Sequence, residues 1–489
     1  MSALSPRPAT KGRTPTVVRL LVLATFVVIL NETIMINAIP RLMESLHVTE
    51  QSAQWVSTTF MLTMAAVIPM TGWFLQRVTT RQAYATAMGV FLAGTVLAAV
   101  SPSFIVLLLA RVVQAAGTAV MMPLLMTTLM VVVPEHDRGR VMGNVTLAIS
   151  VAPALGPAVS GLILQAGSWR LLFVVVLPIA GVVGVLGLRR MTDIGEPQVS
   201  SIDWFSVVVA ALGFGGLVYG LSLFGDPTSP VALGIGIVAA GAATIAVFVV
   251  RQLRLQRSGT PLLDLRTLLN RTYRQSLVLQ AIAFLAMLGS MILLPLYLQN
   301  LRGLSPLATG LLVMPGGLAM GLLGPTAGKV YDRFGARPLV LPGTIGMVLA
   351  LAGFAQISTT MPYWQILSLH TLLMLSLAAI FTPVFTLGMA ALPEHLYSHG
   401  SSMLGTLQQV AAAFGTALAV TVLSARASAL IADGVAPAAA QLSGMRLAFA
   451  VSAALALLTV VVGVQLTRRR KDPKRDPVDE TEPAVAVVD

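Results

Sequence analysis

Apolar stretches of about twenty residues, broken by short polar or charged punctuation, repeat along the chain from residue 16 to residue 467. A helix rising 1.5 Å per residue needs about 20 such positions to cross roughly 30 Å of hydrocarbon. The pattern predicts fourteen crossings, at about 16–38, 52–74, 82–101, 104–131, 139–165, 170–188, 203–224, 230–251, 275–299, 307–331, 338–357, 364–391, 401–425 and 446–467. A membrane barrel would instead show short segments alternating every second residue. The predicted fold class is an all-α polytopic membrane protein with 14 transmembrane helices.

Composition agrees: 56% of the 489 residues are hydrophobic and 10% charged, against about 25% charged in soluble domains. The net charge of +12 invites a nucleic-acid reading until its placement is traced. Arg41, Arg170, Arg302, Arg426 and Arg446 fall on one side of the predicted spans and Arg111 falls inside one. The other Lys and Arg residues of the 31 lie on the side of the two termini. This is the positive-inside bias. It predicts both termini in the cytoplasm of a bacterial plasma (inner) membrane and no nucleic-acid partner. The excess of Arg over Lys suits a GC-rich bacterium. The first apolar run is too long for a signal-peptide core and reads as a retained helix.

A repeat organises the spans. Residues 72–81 read GWFLQRVTTR and residues 328–337 read GKVYDRFGAR, each opening on Gly at the end of a span with Arg at its sixth and tenth positions. With the seventh and eighth spans as an insertion, the copies occupy the second helix of two six-helix halves, an arrangement typical of transporters. The predicted layout is a cytoplasmic tail (1–15), a first half (16–190), two additional helices (191–251), a linker (252–274), a second half (275–467) and a disordered tail (468–489). The linker's Pro-Leu-Leu-Asp-Leu stretch suggests a short interfacial amphipathic helix.

On these motifs the chain resembles the 14-helix drug:proton antiporter branch of the major facilitator superfamily, from about residue 16 to residue 467. Through NETIMINAIP and PLLMTTLMVVVPE it is similar to exporters of the lincosamide-resistance type. The resemblance implies gate-latch roles for Gly328, Asp332, Arg333, Gly335 and Arg337, and for Gly72, Arg77 and Arg81. Gln76 stands where the family has Asp and Thr79 where it has Gly, which departs from an Asp-based latch in the first half. The stretch SVAPALGPAVSGLIL (150–164) resembles the family's antiporter motif, with Pro153, Gly156, Pro157 and Gly161 as its marks. Ala152, Gly156 and Ser160 also form a small-xxx-small ladder that permits close helix approach. The resemblance implies export over import.

Glu32 and Arg111 stand inside predicted spans, Glu32 as the one carboxylate placed away from a span end. Glu32 follows Asn31 in an otherwise apolar helix, where an acid costs roughly 2.5–3.5 kcal/mol even on the lenient insertion scale. Burial opposes its charge and a nearby cation favours it, a balance suited to a proton carrier. Arg111, in LLARVVQAAGTAVMMP, resembles the family's fourth-helix arginine motif. The expected roles are proton coupling for both. Structural alternatives are a permanent Glu32–Arg111 pair and a snorkelling Arg111. Asn31, Asn37, Gln114, Thr118, Met122, Gln408 and Gln409 are the expected cavity residues, with the two glutamines equally suited to bonding between helices. No phosphate loop, HExxH or nucleophile elbow appears and Cys is absent, so the expectation is no enzyme, metal or cofactor. The expected function is proton-coupled export of amphiphilic drugs or other lipophilic small molecules by a monomer in a lipid bilayer. Export of lipids or lipid-like metabolites is the alternative.

Overall fold

The computed structural model describes residues 15–35, 38–165, 167–193, 202–225, 229–258 and 261–468. In chain order its α-helices are α1 (Thr16–Ile34), α2 (Ile39–Leu46), α3 (Glu50–Arg77), α4 (Thr80–Ala99), α5 (Phe104–Val132), α6 (Arg138–Gln165), α7 (Arg170–Arg190), α8 (Trp204–Ser222), α9 (Val231–Ser258), α10 (Arg271–Leu296), α11 (Pro306–Phe334), α12 (Arg337–Phe354), α13 (Tyr363–Ala390), α14 (Tyr397–Ala432) and α15 (Pro437–Thr467). Thirteen are long and apolar enough to cross a membrane. The 28-residue α6, rich in small residues, is the fourteenth long helix.

Local chemistry sets many of the boundaries. The Ser103 hydroxyl accepts from the Val106 amide, Ser305 from Ala308 and the Asn270 side chain from Tyr273, each satisfying an orphan donor of a first turn. Thr79 and Gln82 close a capping box on α4. Gly335, with φ of 78°, ends α11 in a conformation that favours glycine. The first span differs from expectation: α1 stops at Ile34, before Asn37, and the short α2 follows with Pro40 in its first turn. The rigid proline ring suits a helix start but not a helix interior.

The helices pack as two sets wired alike. In the first, α1 packs on α5, α6 and α7, α3 packs on α5, and α4 packs on α5 and α7. In the second, α10 packs on α13, α14 and α15, α11 on α13, and α12 on α13 and α15. The core of the first set runs on across the contact into α10, α13 and α14, and the second set buries a further core of its own. They meet along two seams, α6 against α11 and α3 against α14. Helix α8 rides on both helices of the second seam, and α9 packs on α8. Arg251 of α9 clamps Asp203, at the head of α8, with bonds of 2.6 and 2.9 Å.

The segment after α9 also departs from expectation. Helix α9 runs on to Ser258, and residues Leu265–Leu269 form a 3₁₀ turn. Instead of lying as an amphipathic helix on a surface, Leu262 and Leu263 are buried. The Gln252 side chain accepts from both of their amides, which satisfies backbone that burial would otherwise orphan.

Candidate functional site

The two seams close at one face of the bundle, the face where α1 begins and α15 ends. Along α6 and α11, glycines face glycines. A Cβ at Gly328 would strike the Gly139 carbonyl, and Cβ atoms at Gly143 and Gly324 would each strike the other's carbonyl. Two antiparallel Gly-xxx-Gly ladders thus bring the backbones together. Thr146 bonds Thr382 at 2.9 Å beside them. Asp332 then reaches from α11 to the first turn of α6, where its carboxylate accepts from the amides of Gly139 (2.8 Å) and Arg140 (2.7 Å). A carboxylate at a helix N-terminus is favoured by charge and by hydrogen bonding.

The α3–α14 seam repeats the device with weaker chemistry. Gly72 lies against His399, and Gln76, four residues on, donates to the His395 carbonyl at 3.0 Å. Where an Asp latch is missing from the sequence, a neutral amide bridges the seam. Ser402 donates to the Ile68 carbonyl at 2.6 Å, and Thr127 bonds Ser401 at 2.9 Å. The arginines of the two motifs do not cross the seams among the described residues. Arg77 stacks on Trp73 and Arg333 on Phe334. The Arg81 amide donates to Asp193, and Arg337 opens α12 at a surface groove.

Farther along the two helices, at Gly161 and Gly310, the glycines no longer pack against a partner. A Cβ at Gly161 of α6 or Gly310 of α11 would meet open space. Gly161 therefore makes no close approach, whereas Gly156 does. It presses on Thr33 of α1, whose hydroxyl reaches the Ala152 carbonyl at 3.5 Å. The small-residue ladder of α6 thus fixes α1 at the level of Glu32. Pro153 lies in the same continuous helix. The Pro157 side chain and Asn37 lie outside the described residues.

Arg111 is 1% exposed and is held from three sides. Its Nε donates to the Val56 carbonyl of α3 at 3.3 Å, a terminal nitrogen donates to Gln114 Oε1 at 3.0 Å, and its guanidinium covers the Phe60 ring at 4.2 Å. Gln114 passes the chain on to Thr95 of α4 at 2.9 Å. Phe60 and Thr95 were not legible as partners, because nothing in the sequence brings α3 and α4 to this turn of α5. Glu32 is half-buried and feels the field of Arg111, but among the described residues no ion pair within 4 Å joins them. The snorkelling alternative does not describe an arginine buried this way, nor does a permanent pair describe Glu32.

The expected cavity residues separate into two groups. Gln114 (0% exposed) and Thr118 (3%) are buried and bonded: one bridges Arg111 to Thr95, and the other returns its hydroxyl to the Gln114 carbonyl. Close packing of α4 on this stretch, with Gly94 against the Gln114 backbone, turns both away from free space. Asn31 is buried, with neither amide atom bonded among the described residues. Met122 is half-buried against the first core. Gln408 donates to Gln280 of α10 at 3.4 Å, and Gln409 is half-buried. Gln280, whose Nε2 has no partner among the described residues, is an amide that no sequence motif marks. Its only signal was a lone polar residue in an apolar run.

Two like-wired helical sets, sealed at one face and carrying ionisable groups inside, have the architecture of a transporter. The profile of the Major Facilitator Superfamily matches residues 21–416. The chain belongs to this superfamily. It is 37% identical over 94% of its length to the MFS-type transporter YcnB of Bacillus subtilis, covering 97% of that protein. It is 36% identical over 85% of its length to the lincomycin resistance protein LmrB of Listeria monocytogenes, covering 88% of it. Among solved structures it superposes on the human organic anion transporter MFSD10 with a TM-score of 0.66 at 15% identity, over 92% of this chain and all of that one. As an MFS protein the chain is a membrane transporter and not an enzyme.

Proposed function

We propose that this protein is a proton-coupled exporter of amphiphilic, neutral or monocationic compounds, working by alternating access as a monomer in the bacterial plasma membrane. The observation that carries the reading is Glu32, a half-buried carboxylate inside the bundle, near a fixed arginine yet without an ion pair among the described residues. A carboxylate so placed is free to exchange its proton, and ionisable groups within membrane helices usually mark pathways. The relatives named for lincomycin resistance support a drug-like cargo. The placement of Lys and Arg supports cytoplasmic termini, so the sealed face is the cytoplasmic one and the described state faces outward.

In this scheme a proton from outside neutralises Glu32 and the carrier closes over it. Opening to the cytoplasm releases the proton, and the vacated, charged site favours an incoming lipophilic cation or amphiphile. The seams of α6–α11 and α3–α14 open and close as units. Asn31, Gln408 and Gln409 contribute polar contacts to the cargo. The test is uptake of a fluorescent lipophilic cation into proteoliposomes under an imposed pH gradient. Accumulation that collapses with a protonophore supports the proposal. Transport indifferent to the gradient contradicts it and favours lipid-like cargo moved by another driving force.

A further inference from the structure

Residues 261–264, between α9 and α10, have no part in the scheme above, yet all four are buried although they are not helical. Leu262 and Leu263 are each 1% exposed and Asp264 is 2% exposed. Gln252, itself fully buried, holds the bend in place. Its Oε1 accepts from the amides of Leu262 (2.7 Å) and Leu263 (3.2 Å), while its Nε2 donates to Ser206 of α8 at 2.8 Å. Asp264 accepts from the Arg266 side chain and from Gln256. Burial opposes the Asp264 charge, but the hydrogen bonds from Arg266 outweigh it and hold the carboxyl below its usual range.

What the leucines are buried against gives the segment its meaning. They share one apolar cluster with Val209 and Ala210 of α8 and Phe248 of α9, and Met70 and Trp73 of α3 and Met403 of α14 pack onto that cluster. Helices α3 and α14 come from different sets and meet in the sealed seam. Asp264 also acts electrostatically on His399, which lies against Gly72 in that seam.

We propose that Gln252 is a positioning residue of the transport cycle: through Leu262 and Leu263 it seats the α9–α10 segment as a wedge bridging α3 and α14 and holding the sealed face shut. Parting of the seam divides the cluster and uncovers its apolar side chains, so the inserted pair α8–α9 sets how readily that face opens. The proposal rests on alternating access in this fold and is independent of cargo and coupling ion.

The chain has no cysteine, so a single one reports cleanly. Ser402 is fully buried in the seam, and the alkylation rate of Ser402→Cys by a permeant maleimide reads its opening without any transport assay. Gln252→Ala and Leu263→Asp are expected to speed alkylation by about tenfold or more, while Leu263→Met leaves it unchanged. Folded variants that alkylate at the parent rate overturn the proposal. Should those variants fail to fold, a second measurement leaves the wedge intact. The seam is cross-linked through Gln76→Cys and His395→Cys, and hydrogen exchange is followed at Leu262 and Leu263. Exchange slowed about tenfold by the cross-link is the expected result, and exchange unaffected by it overturns the proposal.

Discussion

Arg111 shows how one intramembrane charge is made tolerable. Its guanidinium is divided among a carbonyl of α3, an amide of its own helix and an aromatic face, and Gln114 hands the network on to Thr95. Such a satisfied network fixes the charge in space, so in the proposed scheme Glu32 is the group that changes charge. Gln114→Leu removes the bridge and leaves Arg111 and Thr95 each short of a buried partner, at a cost of about 1–3 kcal/mol. Thermal unfolding in detergent is expected to register that loss with cargo affinity unchanged. A large affinity loss without destabilisation would return Gln114 to the cavity. At this scale the sequence announced the chemistry but not its address. That Glu32 and Arg111 are candidates follows from what charge costs in hydrocarbon. That Gln114 and Thr118 are buried depends on α4, whose packing no local pattern encodes.

The decisive elements are α6 and α11. The motif around Asp332 was legible, because its Gly, Asp and Arg chemistry repeats at fixed spacing. The ladder of Gly139 and Gly143 against Gly324 and Gly328 was not, since a small-residue stripe tells that a helix has a close neighbour without saying which. Gly143→Ala, whose Cβ meets the Gly324 carbonyl, is expected to wedge the sealed face open. A cysteine introduced at Thr146 should then alkylate about tenfold faster. Gly161→Ala, with open space around it, should leave the rate unchanged, and equal effects would show that the ladder is not the seal.

The α8–α9 clamp carries its own pH signature. The side-chain hydrogen bond from Arg251, opposed by burial and aided by Ser206, pushes the Asp203 carboxyl down to about 2. A folded-state value below the unfolded one means that the clamp's stabilisation is present above about pH 4 and is lost as pH falls toward about 2. Between about pH 5 and pH 2.5 the parent chain should lose more thermal stability than Asp203→Asn. Parallel losses would contradict the assignment. The wedge that follows α9 was misread in sequence because a Pro-Leu-Leu-Asp-Leu stretch is equally apolar on a membrane surface and inside a seam. Only Gln252, distant from any motif, decides between them by satisfying its amides.

Over the whole molecule, hydropathy and repeat spacing were enough to give two six-helix sets and an inserted pair, because spanning segments must satisfy their backbones internally and therefore read plainly as helices. Which face is shut was not legible, since it is a property of the state and not of the pattern. The central claim is that a single carboxylate couples this carrier to protons. It is tested most directly by comparing the parent chain with Glu32→Gln in proteoliposomes, measuring lipophilic-cation uptake under an imposed pH gradient and cargo binding in parallel. Retained binding with gradient-driven uptake reduced to background is the result expected. Equal uptake by both chains would make Glu32 structural and contradict the mechanism.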